Sequence, residues 1–297
     1  MYEDEDESDV PRSVFIDGTP CLTSILLRGV TLQSCLPPLA AITDLQFHDT
    51  AVTVDAPKFC SMLTSLSALT HLVINGDLYT DWTTVGTIEL PSLHSLHIRA
   101  VDDSELILGV LATISAPSLQ SLLLETLVPE DVQDFAQTMS LTSASPKYPS
   151  LCSLTILPLN ADDFSYSLST WRLLMRTFPT ITHFTLSYNK MNTFLSLLMQ
   201  MYPPESLATT TVWPKLHTLI LLDPSRHPTI TLIRNTVSAR ITSGHPIKAL
   251  WLSKTIMSTV TDDLQWLRAR LEVEESTMYP ELAHGSFVVK WSEGNDS

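Results

Sequence analysis

Apolar residues recur along the chain at positions i, i+3 and i+5. The triplets are Leu22-Ile25-Leu27, Ile42-Leu45-Phe47, Leu69-Leu72-Ile74, Leu93-Leu96-Ile98, Leu119-Leu122-Leu124, Leu151-Leu154-Ile156, Ile181-Phe184-Leu186, Leu216-Leu219-Leu221 and Ile247-Leu250-Leu252. The second and third members of each triplet stand two residues apart, which is the period of a short strand with one face buried. Nine strands are therefore expected, one per triplet. Between triplets the period changes to that of a helix in three places. Leu106, Leu108, Val110 and Leu111 group within 104–114, and Trp171, Leu174, Met175 and Phe178 within 169–178. Ile230, Ile233, Val237 and Ile241 do so within 229–241, where the spacing marks one helical face.

First anchors stand 20, 27, 24, 26, 32, 30, 35 and 31 residues apart. Proline precedes the first anchor by two residues at Pro20, Pro91, Pro117, Pro149, Pro179 and Pro214. It lacks a backbone donor and disfavours helix at the residue before it, so it ends the return segment and hands an extended chain to the strand. The repeat at Ile42 follows Pro37-Pro38, and the one at Ile247 has Pro246 one place closer. A strand and a return segment repeated at this period are the signature of leucine-rich repeats. The predicted fold is an α/β solenoid with a curved parallel sheet on its concave side and helices and irregular loops on its convex side. One repeat domain is expected over 11–291, between an acidic tail at 1–10 and a short tail at 292–297. Its C-terminal cap is expected at 262–291. There Asp262 or Asp263 caps a helix carrying Leu264, Leu267 and Leu271, and Phe287, Val289 and Trp291 alternate like an edge strand.

Charge narrows the function classes. The chain carries 17 basic and 32 acidic residues, a net charge of −15, and Glu3, Asp4, Glu5, Asp6, Glu7 and Asp9 crowd its start. Such a balance repels phosphate backbones, so nucleic acid is not expected as a partner. The acidic start reads as a solvated arm and does not resemble a signal peptide. No apolar run approaches the ~20 residues needed to cross a bilayer, so no membrane partner is expected. The four cysteines, Cys21, Cys35, Cys60 and Cys152, form no C-x-x-C pair and read as small buried residues in a reducing, cytoplasmic or nuclear, compartment. The eight glycines are scattered, and neither G-x-S-x-G nor H-E-x-x-H occurs. His94 and His97 stand three apart on a strand and point to opposite faces, which prevents joint chelation. No catalytic residue, cofactor or metal site is expected, and the chain is not expected to be an enzyme.

Cys21-Leu22-Thr23-Ser24-Ile25-Leu26-Leu27-Arg28-Gly29-Val30, followed by Cys35-Leu36-Pro37-Pro38-Leu39, carries a family resemblance, as does Glu89-Leu90-Pro91-Ser92-Leu93-His94-Ser95-Leu96. Over about 11–260 the chain resembles the repeat region of fungal F-box proteins with irregular leucine-rich repeats. In that family an N-terminal F-box docks to a Skp-type adaptor of a cullin ubiquitin ligase, and the repeats select the substrate. The resemblance implies a substrate-recognition role for the repeats. Acidic residues stand where the F-box would lie, so a Skp-type adaptor is not expected to bind this chain. The general repeat consensus places an asparagine eight residues after the first anchor. Here Asn189 alone fits, which implies an irregular coil.

Side chains between the anchors should face the concave side. In the first half they include Arg28, Gln46, His48, His71, Asn75, His97 and Arg99, a polar and cationic zone in an acidic chain. Near the end they include Ile220, Leu222 and Trp251, an aromatic beside aliphatics, which is the composition of a protein-binding hot spot. The expected function is non-catalytic recognition of a protein or peptide through these residues. The competing reading is a free-standing scaffold or inhibitor with no ubiquitin-ligase connection.

Removing residues 1–9 should leave the midpoint of thermal unfolding within about one degree, because a run of carboxylates has no apolar group to bury. A larger fall, measured by circular dichroism, would show that the acidic arm packs on the folded domain.

Overall fold

The computed structural model describes residues 21–28, 41–48, 52–53, 56–76, 78–79, 86–100, 104–126, 134, 147–157, 166–187, 191–199, 212–222, 230–258 and 261–276. All nine triplets lie within them, and each forms a five-residue parallel strand. These are β1 (Ser24–Arg28), β2 (Asp44–His48), β4 (His71–Asn75), β7 (Ser95–Arg99), β9 (Ser121–Glu125), β10 (Ser153–Leu157), β11 (His183–Ser187), β12 (Thr218–Leu222) and β13 (Ala249–Ser253). A tenth, β14 (Glu272–Ser276), completes the sheet. Two-residue strands β3 (Val52–Thr53) and β5 (Leu78–Tyr79) pair separately, as do β6 (Ile88–Glu89) and β8 (Ile114–Ser115). The main sheet runs β1-β2-β4-β7-β9-β10-β11-β12-β13-β14, open rather than closed into a barrel. Spatial order equals chain order, so each long strand lies beside its predecessor.

Register follows the triplets. Ile25, Leu45, Leu72, Leu96, Leu122, Leu154, Phe184, Leu219 and Leu250 align as one row across the sheet, and Val273 extends it. From Leu45 to Leu250 every member of this row is buried; at the edge Ile25 is half-buried. Three side chains of the return segments, Leu106, Leu174 and Val237, join the same core, so the helices cover the anchor face.

The junction ahead of each long strand from β2 to β13 is built the same way. The Thr23 carbonyl accepts from Thr43 N at 2.8 Å and Asp44 N at 3.0 Å, and the Thr43 carbonyl from Thr70 N at 2.8 Å and His71 N at 2.9 Å. The pattern repeats through the carbonyls of Thr70, His94, Gln120, Cys152, Thr182 and His217. Where the next residue in this column is threonine, its hydroxyl adds a third donor: Thr43 to Thr23 O at 3.2 Å, Thr70 to Thr43 O at 2.9 Å, and Thr182 to Cys152 O at 3.1 Å.

Ahead of the junction, Pro91, Pro117, Pro149 and Pro214 occupy the second position of a hydrogen-bonded turn that closes on the first anchor. Leu93, Leu119, Leu151 and Leu216 donate to Leu90, Ala116, Tyr148 and Trp213 at 3.2, 3.1, 3.2 and 3.1 Å. The fixed proline φ suits that position, so the residue makes the turn that leads into the strand. Pro20 lies outside the described residues. The residue opening two of these turns is a buried aromatic that reaches back to the end of an earlier helix. Tyr148 donates its hydroxyl to Leu111 O at 2.9 Å and Ile114 O at 3.1 Å, and Trp213 donates Nε1 to Phe178 O at 2.7 Å.

Three helices fall where the periodicity predicts them: α2 (Ser104–Thr113), α3 (Leu168–Thr177) and α5 (Ile230–Thr242). Ser167 caps α3 by accepting from Thr170 N at 3.1 Å, and Trp171, Leu174 and Met175 form its buried face. The structure adds α1 (Ala56–Ser65), α4 (Met191–Met199) and the short α6 (Lys254–Ser258). The cap helix is α7 (Thr261–Arg268). Asp263 lies inside its first turn and accepts from Arg234 Nη1 at 3.2 Å instead of capping it. The edge strand expected at Phe287–Trp291 lies outside the described residues, and the strand that follows α7 is β14.

Arg240, on α5, is 1% exposed. Its Nη1 donates to Val212 O at 2.9 Å and its Nη2 to Trp213 O and Leu216 O at 2.9 and 3.1 Å, which ties α5 to the turn before β12. Burial pushes its pKa down to about 10, so the guanidinium stays charged at neutral pH. Arg240→Met should destabilise the protein by about 3 kcal/mol, since it strips buried carbonyls of a charged donor. Arg234, 45% exposed and paired with Asp263, should cost only about 0.5 kcal/mol on the same change. Urea unfolding of both variants checks the ranking, and equal losses would contradict it.

Candidate functional site

The sheet face opposite the anchors is formed by three rows of side chains. Register places Gln46, Val73, His97 and Leu123 in a middle row that continues to Trp251 and Glu274. The outer rows begin at Ser24 and Arg28.

Arg28, Gln46, His48, His71, His97 and Arg99 all come to this face on the neighbouring strands β1, β2, β4 and β7, as the sequence predicts. Arg28 and His71 are exposed, and the other four are half-buried. Their charges and dipoles are engaged locally. Gln46 Nε2 donates to Asp44 Oδ1 at 2.9 Å, His71 Nδ1 meets Thr70 Oγ1 at 2.8 Å, and the Asn75 amide approaches His48 Nδ1 at 3.4 Å.

Glu125 organises the far side of this zone. The carboxylate is 3% exposed, with His97 Nε2 at 2.8 Å from Oε1 and Arg99 Nε at 3.6 Å from Oε2. Glu125 is not among the residues that the sequence singled out. The available signal was register, because Glu125 stands directly opposite Arg99. A buried carboxylate needs such partners, and the pair gives His97 and Arg99 a fixed geometry. The strand end that carries Glu125 is held by Thr126. Its φ of 63° is unusual for a β-branched residue. Thr126 N donates to Leu157 O at 2.7 Å, and its hydroxyl donates to Ala100 O.

The C-terminal zone needs a correction. Ile220 and Leu222, expected at the accessible face, are 2% and 7% exposed, and β12 is buried along its whole length. The physical reason is legible in Thr218-Leu219-Ile220-Leu221-Leu222, an apolar run without alternation, which is how a strand covered on both faces reads. Ile220 is also flanked in register by Thr185 and by the large indole of Trp251. Trp251 is half-buried and keeps an accessible surface. Beside it, β14 contributes exposed Glu272 and Glu274, which sequence reasoning missed because it did not anticipate that strand.

Two histidines lie between the zones. The rings of His183 and His217 meet edge to face with centroids 4.8 Å apart. His183 Nδ1 lies 2.8 Å from Thr182 Oγ1, and His217 Nδ1 lies 3.0 Å from Thr218 Oγ1. Burial, then the neighbouring His217, holds the His183 pKa below its usual value; burial, then Lys248, does the same for His217. Among the described residues no group of three or more His, Cys, Asp or Glu side chains is arranged to hold a metal ion.

Cysteine burial was overestimated: Cys21 is exposed, Cys60 and Cys152 are only half-buried, all three carry free thiols, and Cys35 lies outside the described residues. Burial raises the pKa of Cys60 and Cys152, opposite to the shift that activates a thiolate. No helix among the described residues is long and apolar enough to cross a membrane.

The histidine pair makes stability depend on pH in a defined direction. Both folded-state pKa values lie below the unfolded ones, so the unfolded chain takes up protons first. Their contribution is fully present above about pH 6.5 and is lost as pH falls through the depressed folded values. Thermal melts should therefore show a midpoint that declines as pH falls below about 6.5, a slope that His217→Gln reduces. An unchanged slope in that variant would remove the pair as its source.

No family model matches the chain, and no curated protein matches it. Among solved structures it is similar to the crystal structure of a Bacteroides fragilis protein, with a TM-score of 0.46 and 14% sequence identity. The alignment covers 81% of this chain and 66% of that one, so it spans slightly less than two thirds of the bacterial protein.

Proposed function

We propose that the chain is a leucine-rich-repeat solenoid that recognises a protein or peptide without catalysis, using the sheet face opposite the anchors as its concave binding surface. The observation that carries this reading is the division of labour across one sheet. One side is sealed by the anchors and helices; the other presents half-buried polar groups and an indole on rigid, evenly spaced strands. Binding sites built on rigid strands hold their side chains in place before the partner arrives, which lowers the ordering cost of association. The resemblance to the repeat region of fungal F-box proteins supports a role in choosing the substrate of a ubiquitin ligase.

Affinity capture followed by mass spectrometry identifies the partner, and titration calorimetry on variants then tests the face. Trp251→Ala should weaken binding by roughly thirtyfold, the loss expected for an interface tryptophan worth ~2 kcal/mol. Arg28→Ala, which changes an exposed charge at the first strand, should act mainly through association rate and salt dependence. Unchanged affinity in both variants, with intact circular-dichroism spectra, would move the binding site off this face.

A further inference from the structure

On the last two strands the face opposite the anchors brings an indole and carboxylates together. β13 and β14 pair so that Trp251 stands opposite Glu274 and Ala249 opposite Glu272. Neighbouring strands are ~4.8 Å apart, so Glu274 rises at the rim of the indole, and both glutamates are exposed. On the other side of Trp251, buried Ile220 gives the ring an apolar backing. Among the described residues of this face, no lysine or arginine lies on β11, β12, β13 or β14.

We propose that this corner docks an extended basic segment of a partner protein, with a lysine or arginine laying its methylene stem over Trp251 and its charge against Glu274. The inference rests on the reading of this face as a recognition surface and adds the charge and shape of what it recognises. Tryptophan is the best aromatic partner for a cation, and long cationic side chains cover apolar surface with their stems while the head group stays polar. A carboxylate beside the ring supplies the counter-charge. The chain already uses this arrangement internally: Arg234 and Arg270 lie over the Trp266 ring at 4.8 and 4.0 Å from its centroid, and Asp263 accepts from Arg234 at 3.2 Å. The net charge of −15 steers a basic partner toward the molecule, and the indole-carboxylate corner gives such a partner a place to stop.

Fluorescence anisotropy with two labelled decapeptides, alternating Lys-Ser and alternating Glu-Ser, tests the proposal on the full chain at low salt. The Lys-Ser peptide should bind and the Glu-Ser peptide should not. Glu274→Gln and Trp251→Ala should each weaken binding by about tenfold, a change equal to one decade in Kd. Glu89→Gln, which removes the same charge from exposed β6, should change it by less than about twofold. Because Glu274 is exposed, its variant keeps the test valid even if Trp251→Ala fails to fold. Equal losses in Glu274→Gln and Glu89→Gln would overturn the proposal by showing that binding follows net charge. A captured partner that depends on Trp251 while the Lys-Ser peptide fails to bind would overturn the basic occupant and leave the recognition face standing. A captured partner indifferent to Trp251 and Arg28 would remove both.

Discussion

A strand that slips by one residue turns its buried side chains to the wrong face, so a long parallel sheet depends on register above all. Here the doubly bonded carbonyl ahead of each strand sets it. The Thr23 carbonyl fixes Thr43 and Asp44, the Thr43 carbonyl fixes Thr70 and His71, and the same device continues to the His217 carbonyl at Lys248 and Ala249. Anchors then fall into rows, the rows seal against the helices, and the intervening side chains are left on the opposite face. The geometry of the candidate site follows from this order of events. His97 reaches Glu125 and Trp251 stands beside Glu274 because backbone pairing put those strands in step.

Strands were legible because each triplet combines a fixed spacing with a period-two end, and three return helices because their apolar residues recur at helical spacing, although Ile241 of α5, expected on the buried face, is 43% exposed and its neighbour Arg240 is buried instead. Other elements carried weaker signals. Helix α4, Met191-Asn192-Thr193-Phe194-Leu195-Ser196-Leu197-Leu198-Met199, is apolar around much of its circumference, which blurs helical periodicity. In β14 Val273 takes the place of an anchor, but Glu275 stands where the next apolar one would be, so the triplet signature disappears. Exposure on the working face was harder still. Whether an apolar residue between anchors stays accessible depends on what covers the strand, and Ile220 and Trp251, adjacent in register, have opposite fates. Glu125 shows the same limit for charge: its partners lie 26 and 28 residues away, and only the pairing of β7 with β9 brings them together.

The two halves of the face differ in kind. In the first, cationic and amide side chains are already held by neighbours, with Glu125 buried beneath His97 and Arg99. Such a zone presents donors at fixed positions. In the second, an indole stands beside exposed carboxylates, which suits a flexible cationic chain. A single extended ligand crossing the sheet would therefore meet opposite electrostatic demands at its two ends, and that polarity sets the direction in which it can lie.

Tyr148 bonds backward to carbonyls in α2 and β8, and Trp213 to the carbonyl of Phe178 that ends α3, across 34 to 37 residues. These two helix ends are thus finished by residues further along the chain. The dependence has a direction: a cut or an unfolding event on the C-terminal side of a unit uncaps the helix before it, whereas one on the N-terminal side leaves that helix end tied. Lengthening a loop between the two groups costs only a slow logarithmic rise in closure entropy. The chain can therefore accept insertions on its return side without disturbing the face that its strands present.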